Sequence, residues 1–222
     1  TNPPIDSLRE SRVMSLRTRL GNLGNILDED PTQCDMLMLE SPVLSNAEFA
    51  AMRAYMKDTA CTVDCTWPVA EGEPGLRRAI ERIRREAEEG VLPGCAQVIL
   101  TEEGQGPERA AIPMILAVGG VHTHLVRQSL RTFTSLNVRV AECVDVHTFA
   151  VLVGAGATTV NAYLAQESIA DRHRRGLFGQ MSLRDAVQRY KKAVDKGLLK
   201  VMSKMGIGVL SSYRGGMNFE AI

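Results

Sequence analysis

Short apolar runs alternate with amphipathic segments over most of the chain beyond residue 60. Residues 62–67, 96–100, 136–140 and 207–210 have the length and composition of strands. Residues 75–89 carry apolar side chains at helical spacing with arginines and glutamates between them, which predicts an amphipathic helix. Strands that alternate with helices in this way are typical of a parallel sheet covered on both faces.

Further helices complete this pattern. Pro113 begins a helix that continues towards residue 130, because proline is favoured in the first helical turn. A long, mostly apolar helical stretch follows Asp145, and two more helices lead from Ser182 to Lys204. We therefore predict an α/β fold with an open four-stranded parallel sheet, similar to half of a barrel and flanked by helices. Four strands are too few to close an eight-stranded barrel.

Residues 1–60 differ from the rest because they contain no clear strand pattern. Pro3 and Pro4 favour an extended backbone, and a helix begins near residue 46 with Ser45 or Asn46 as its cap. We predict an irregular, mostly helical N-terminal arm over residues 1–60 and an α/β core over residues 61–222.

The charge balance restricts the classes of partner. Lys plus Arg and Asp plus Glu both number 26, so no net charge attracts nucleic acid or an anionic membrane. No run approaches the roughly 18 apolar residues of a membrane span, and the N-terminus lacks a signal-peptide pattern. The prediction is a cytoplasmic protein without a nucleic-acid or membrane partner.

The cysteine and histidine patterns do not indicate a metal or redox centre. The five cysteines are scattered without paired spacing and are predicted to be reduced structural thiols. His122 and His124 differ by about 200° around a helix, so they are not expected to share a metal. The glycines at 154 and 156 follow a predicted helix instead of a strand, which argues against a dinucleotide site.

Two groups of polar residues follow predicted strands and are the candidate site. Glu142 comes after the third strand, where open α/β sheets bind ligands. Ser211, Tyr213 and Arg214 come after the last predicted strand, and their hydroxyls and guanidinium fit an anion or a neighbouring domain. The structural alternatives are a solvated loop carboxylate for Glu142 and simple docking for residues 211–214.

Four segments resemble the large chain of glutamate synthase, and they occur in the order found in that family. They are residues 1–6 (TNPPID), 121–127 (VHTHLVR), 154–165 (GAGATTVNAYLA) and 198–216 (LLKVMSKMGIGVLSSYRGG). The family's chain has a glutaminase domain, a central domain, an FMN-binding barrel and a β-helix. Its enzymes make glutamate from glutamine and 2-oxoglutarate. The resemblance covers the central domain.

This resemblance implies a non-catalytic domain that links the glutaminase and FMN synthase domains and helps to form the ammonia tunnel. It implies no cofactor in this part of the chain, with FMN and a 3Fe–4S cluster elsewhere in the parent enzyme. Residues 171–176 (DRHRRG) are similar to NADPH-type chains. That similarity implies a small NADPH-oxidising subunit with FAD and 4Fe–4S clusters, although a ferredoxin-dependent parent stays open.

The resemblance is strongest at the two ends of the chain. Thr1 and Asn2 are predicted to line the ammonia route, and Tyr213 and Arg214 to contact the synthase domain. A second hypothesis is that the half-barrel itself binds FMN through Glu142 and residues 211–214. A third is a freestanding interaction module.

Overall fold

A four-stranded parallel sheet lies at the centre of the computed structural model, which describes residues 2–216 and 218. The strands found there are β1 (Thr18–Leu20), β2 (Leu37–Leu39), β3 (Ala60–Asp64), β4 (Thr66–Pro68), β5 (Gln97–Thr101), β6 (Arg109–Ala111), β7 (Ser135–Val140) and β8 (Thr159–Ala162). The α-helices are α1 (Glu10–Val13), α2 (Asn46–Tyr55), α3 (Gly72–Val91), α4 (Met114–Arg127), α5 (Val146–Gly154), α6 (Tyr163–Arg174), α7 (Leu183–Lys204) and α8 (Leu210–Tyr213). Short 3₁₀ turns connect several of them.

The central sheet has the strand order β3, β5, β7, β8, and all three pairings are parallel. Helices α3, α4 and α5 make the crossovers between successive strands, as parallel pairing requires. The predicted fold class, a four-stranded parallel α/β sheet flanked by helices, is confirmed.

The two faces of this sheet differ in chemistry. Side chains alternate along each strand, so the register places Leu100, Val138 and Val160 side by side on one face, all of them fully buried. This face packs against α3, α4 and α5 in the main hydrophobic core. The opposite face carries Gln97, Asn137, Thr159 and Asn161, which are equally buried.

The polar face is closed by the N-terminal arm. A smaller apolar cluster joins α2 and β1 to Ile99, an apolar side chain of that face, through Leu20, Phe49 and Met52. The Leu44 amide donates to the Val160 carbonyl and the Val160 amide donates to the Pro42 carbonyl, which fixes the arm along the edge strand β8. The polar groups of this face bond to one another: Asn137 donates to Gln97 and accepts from Thr159. The division of the chain at residue 60 stays a prediction.

The fourth strand of the sheet is not the predicted one. Residues 207–210 make only an isolated bridge between Val209 and Ser15, and the chain then turns into α8. The fourth strand is β8, which lies inside the predicted helical stretch after Asp145. Gly156, with φ 126°, lies just after the end of α5. An added Cβ there would overlap the His122 ring. Both the positive φ and the lack of space therefore require glycine.

Three smaller expectations were also wrong. The arm contains two short antiparallel strands, β1 and β2. Residues 62–67 do not form one strand, because β4 leaves the central sheet and pairs with β6, which leaves Trp67 half-buried beside the core. Cys61 and Cys95 form a disulfide with a Cα–Cα distance of 6.1 Å, where reduced thiols were expected. Cys34, Cys65 and Cys143 are free.

Helix limits follow from local side-chain chemistry. Of the two predicted caps of α2, Ser45 and Asn46, the structure has Ser45, which forms a capping box with Glu48. Asp145 caps α5 by accepting a hydrogen bond from the Thr148 amide at 2.9 Å. Ser182 caps α7 in the same way, because its hydroxyl accepts a hydrogen bond from the Asp185 amide. Among the described residues, no helix combines the length and apolar character needed to cross a membrane.

Candidate functional site

Glu142 lies at the carboxyl end of the central sheet, just after β7. Its carboxylate accepts a hydrogen bond from the Met114 amide at 2.8 Å, at the start of α4. A carboxylate is stabilised there by the unpaired amides and positive end of the helix. Glu102, after β5, is buried and accepts from the Ala141 amide, and burial raises the pKa of Glu102. Both carboxylates therefore hold loops in place.

Arg139 occupies the same end of the sheet on the polar face. Its guanidinium donates to Asn161 at 2.6 Å and pairs with Glu103 at 2.9 Å. It also stacks between the rings of Phe49 and Tyr163, 5.4 and 4.7 Å from their centroids. A shallow cavity of about 480 Å³ opens beside it against α2. Arg139 thus joins the sheet, α2 and the start of α6.

A second cavity, of about 180 Å³, lies at the opposite end of the sheet, at the amino ends of β7 and β8. Three arginines line it, Arg19, Arg131 and Arg214, together with His122 and the hydroxyls of Thr132, Thr134, Ser135, Thr158 and Ser211. We call it the amino-end cavity. Its lining in the described part of the chain contains no aspartate or glutamate.

Arg131 is the centre of the amino-end cavity. It donates to the carbonyl oxygens of Thr134 at 2.7 Å and Gly156 at 2.9 Å, and to Nδ1 of His122 at 3.0 Å. Burial and the nearby charge of Arg214 lower the pKa of Arg131 to about 9. Burial, with the charges of Arg131 and Arg214, lowers the pKa of His122 to about 4. His122 is therefore neutral near pH 7, and because Nδ1 accepts, Nε2 carries the proton.

The predicted group at residues 211–214 lies at this amino end. Ser211 is exposed, whereas Tyr213 is fully buried and donates its hydroxyl to the Ala150 carbonyl at 2.9 Å. Arg214 donates to Thr18 Oγ1 at 3.3 Å and lines the amino-end cavity. The expected position at the carboxyl end of a strand is wrong, because residues 207–210 do not form a strand of the sheet. Glu142 and Arg214 lie at opposite ends of β7, roughly 17 Å apart along the strand.

The N-terminal arm packs against the last turns of α7. The Ile5 amide donates to the Ser203 carbonyl at 2.8 Å, and Glu10 accepts from Lys200 at 2.7 Å and from Ser203 at 2.8 Å. Asn2 is exposed and lies over Gly206. Thr1 lies outside the described residues. The N-terminal arm and the segment that leads to Arg214 are therefore neighbours.

The three histidines of α4 and α5 lie apart from one another. His122 bonds Arg131, His124 lies 2.6 Å from Glu88, and His147 is on the first turn of α5. Over residues 2–216 and 218, no group of three or more potential ligand side chains could hold a metal ion. Arg131 was missed by sequence reasoning, because a single arginine in a polar segment carries no pattern.

Solved structures with a similar fold include two flavocytochrome b2 variants. The variant with sulfite bound has a TM-score of 0.51 and 12% sequence identity, over 76% of this chain and 38% of the other. The variant with benzoylformate also has a TM-score of 0.51, over 77% and 38%. At this identity the likeness concerns the fold alone.

Curated relatives are much closer in sequence. The chain is 70% identical over 222 residues to the glutamate synthase [NADPH] large chain of Azospirillum brasilense, which is all of this chain and 15% of that protein. It is 38% identical over 233 residues to glutamate synthase [NADH] of Saccharomyces cerevisiae, covering 100% of this chain and 11% of that protein. A ferredoxin-dependent glutamate synthase of Pyropia yezoensis is 36% identical over 236 residues, with coverages of 100% and 15%.

The chain thus spans only 11 to 15% of the length of these relatives. The family profile described as "Glutamate synthase central domain" matches residues 1–222. The resemblance seen in four sequence segments is confirmed over the whole chain, which belongs to the glutamate synthase central domain family.

Proposed function

We propose that this chain is the non-catalytic central domain of a glutamate synthase, which links the glutaminase and FMN synthase domains and forms part of the ammonia tunnel wall. The parent enzyme would make glutamate from glutamine and 2-oxoglutarate in the cytoplasm. The observation that carries the proposal is the adjacency of the N-terminal arm and the residue 206–214 segment. Domains attached at the two ends would then meet on one side of this domain.

The polar groups at the carboxyl end support a structural role. Glu142 is engaged with the Met114 amide, Glu102 with the Ala141 amide, and Arg139 with Glu103 and Asn161. These groups are used to fix loops and helices in position. A catalytic acid or base would need a carboxyl group directed at a substrate.

FMN does not fit the residues that the second hypothesis assigned to it. The hypothesis placed Glu142 and Arg214 together at the carboxyl ends of the strands, whereas they lie at opposite ends of β7. The amino-end cavity, about 180 Å³, is also smaller than the roughly 300 Å³ at which organic ligand pockets begin. We place FMN and the 3Fe–4S cluster in other parts of the parent. The 70% identical relative is an NADPH enzyme, which favours a small NADPH-oxidising subunit with FAD and 4Fe–4S clusters.

The purified 222-residue chain is therefore expected to carry no flavin and to have neither glutaminase nor glutamate synthase activity. The measurement is the visible absorbance of the chain, before and after incubation with FMN and gel filtration. Stoichiometric retained FMN would favour the half-barrel hypothesis instead.

Thr1 and Asn2 are proposed to line the ammonia route, and Tyr213 and Arg214 to support contact with the synthase domain. In the full-length enzyme, Thr1→Phe is expected to narrow the route. Glutamine hydrolysis should continue while glutamate formation from glutamine falls. The ratio of glutamine consumed to glutamate formed measures this uncoupling, and activity with added ammonia tests whether the synthase site is intact.

The control variant is Ser7→Phe, which adds the same ring at an exposed position of the same arm. It should leave the ratio unchanged. Equal loss of both activities in Thr1→Phe, or an effect equal to that of Ser7→Phe, would contradict a tunnel role for residue 1.

A further inference from the structure

The amino-end cavity gathers positive charge without a matching negative charge among the residues that the structure describes. Arg19, Arg131 and Arg214 all line it, and its described lining contains no carboxylate. The hydrogen bonds of Arg131 go to neutral acceptors, which are two carbonyl oxygens, the His122 ring and the Thr158 hydroxyl. Arg214 has one long bond, 3.3 Å, to the hydroxyl of Thr18.

Burying these guanidinium charges costs free energy unless a negative charge balances them. Removing a guanidinium from water costs free energy that neutral partners recover only in part. Burial also lowers the pKa of Arg214, and its charge acts unfavourably on Arg131 and on His122. Several other arginines of the chain pair with carboxylates, as Arg109 does with Asp64 at 2.8 Å and Arg139 with Glu103 at 2.9 Å. The cavity departs from that pattern.

We propose that the amino-end cavity binds an oxyanion, a carboxylate or phosphate group held by Arg214, Arg131 and the surrounding hydroxyls. Guanidinium groups match the geometry of these oxyanions, and hydroxyls donate further bonds to them. The cavity volume of about 180 Å³ accommodates one such group but not a larger organic molecule. The site does not depend on the linker role, and it lies at the opposite end of the sheet from Glu142.

The oxyanion has two sources with the same chemistry. It is either a free ion from solution or a carboxylate side chain from another part of the full-length chain. The experiment uses the full-length large chain, inorganic phosphate as the probe, and the thermal midpoint of unfolding of this domain as the readout. Sodium chloride at matched ionic strength removes general salt effects.

If the ion is free, phosphate should raise the midpoint saturably in the wild-type chain, as a ligand of the folded state does. Arg214→Met should weaken phosphate binding by about tenfold or more, the ratio that one charge-assisted hydrogen bond provides. Arg127→Met, an exposed arginine on α4, should bind phosphate like the wild type. If the source is a side chain, phosphate should do nothing, Arg214→Met should lower the midpoint, and Arg214→Lys should largely preserve it.

Thr18→Val controls for the hydrogen bond that Arg214 donates, because it removes the acceptor and keeps the charge. The proposal is overturned if phosphate acts no more than chloride and Arg214→Met lowers the midpoint no more than Thr18→Val. A higher midpoint in Arg214→Met than in the wild type would also overturn the proposal, because it would show that the arginines repel one another with no anion between them. If phosphate raises the midpoint equally in the wild type and in Arg214→Met, phosphate binds as an adventitious ion only, and the proposal is also overturned.

Discussion

Replacing Asn161 with leucine is expected to lower the free energy of unfolding by about 3 kcal/mol or more, although leucine has a similar volume. Asn161 is fully buried on the polar face of β8. Its side chain accepts from Arg139 at 2.6 Å and donates to the Leu44 carbonyl and the Asn46 side chain, both at 3.0 Å. Leucine removes all three hydrogen bonds at a buried position, where each lost bond costs roughly 1–3 kcal/mol. The Leu44 carbonyl still accepts from Gln166, and Arg139 still pairs with Glu103.

Urea unfolding of the 222-residue chain, followed by circular dichroism, measures this change. Asn2→Leu makes the same chemical change at an exposed position and should stay within about 0.5 kcal/mol of the wild type. Equal midpoints for Asn161→Leu and Asn2→Leu would show that the side-chain hydrogen bonds of Asn161 contribute nothing measurable to holding the arm on the sheet.

The polar face also shows how far the sequence could predict the sheet. In β7, Leu136, Val138 and Val140 alternate with Ser135, Asn137 and Arg139, which is the usual pattern of a strand with one solvated face. The prediction of a parallel sheet covered on both faces was right. What covers the polar face could not be predicted, because bonds such as Asn161 to Leu44 join residues that lie 117 positions apart.

The error over the fourth strand has a local cause. Strand β8 has four residues between two helices, and Ala157, Val160 and Ala162 continue the apolar character of α5. Residues 207–210 looked more like a strand because a glycine precedes them and polar residues follow. Only the parallel pairing with β7 identifies the correct segment, and a pairing between distant residues is invisible in local periodicity.

The candidate site was predicted in part. Arg214 was selected for its chemistry and does line a cavity, but with a different set of neighbours from those expected. For His122 and His124 the sequence predicted only that the two would not share a metal, and the partner of His122, Arg131, was not predicted. Arg131 itself could not be selected from the sequence, because its nearby partners, Thr134 and His122, form no recognisable motif and Gly156 lies 25 positions away.

Gly206→Ala is expected to displace the N-terminal arm, whereas Gly208→Ala, two residues further on, should not. Gly206 has φ 68°, which costs a non-glycine residue about 1 kcal/mol. An added Cβ would also overlap the Pro3 carbonyl oxygen and come within 2.5 Å of the Asn2 Cβ. At Gly208 the nearest atom is the Val13 carbonyl oxygen at 3.7 Å, an ordinary contact.

Two measurements separate the structural and functional parts of this prediction. Trypsin should cleave at Arg9 or Arg12 faster in Gly206→Ala than in Gly208→Ala or the wild type, because a displaced arm is easier to reach. In the full-length enzyme, Gly206→Ala should also raise the ratio of glutamine consumed to glutamate formed, since moving Asn2 moves the proposed tunnel wall. Faster cleavage with an unchanged ratio would show that the arm docks on α7 without lining the ammonia route.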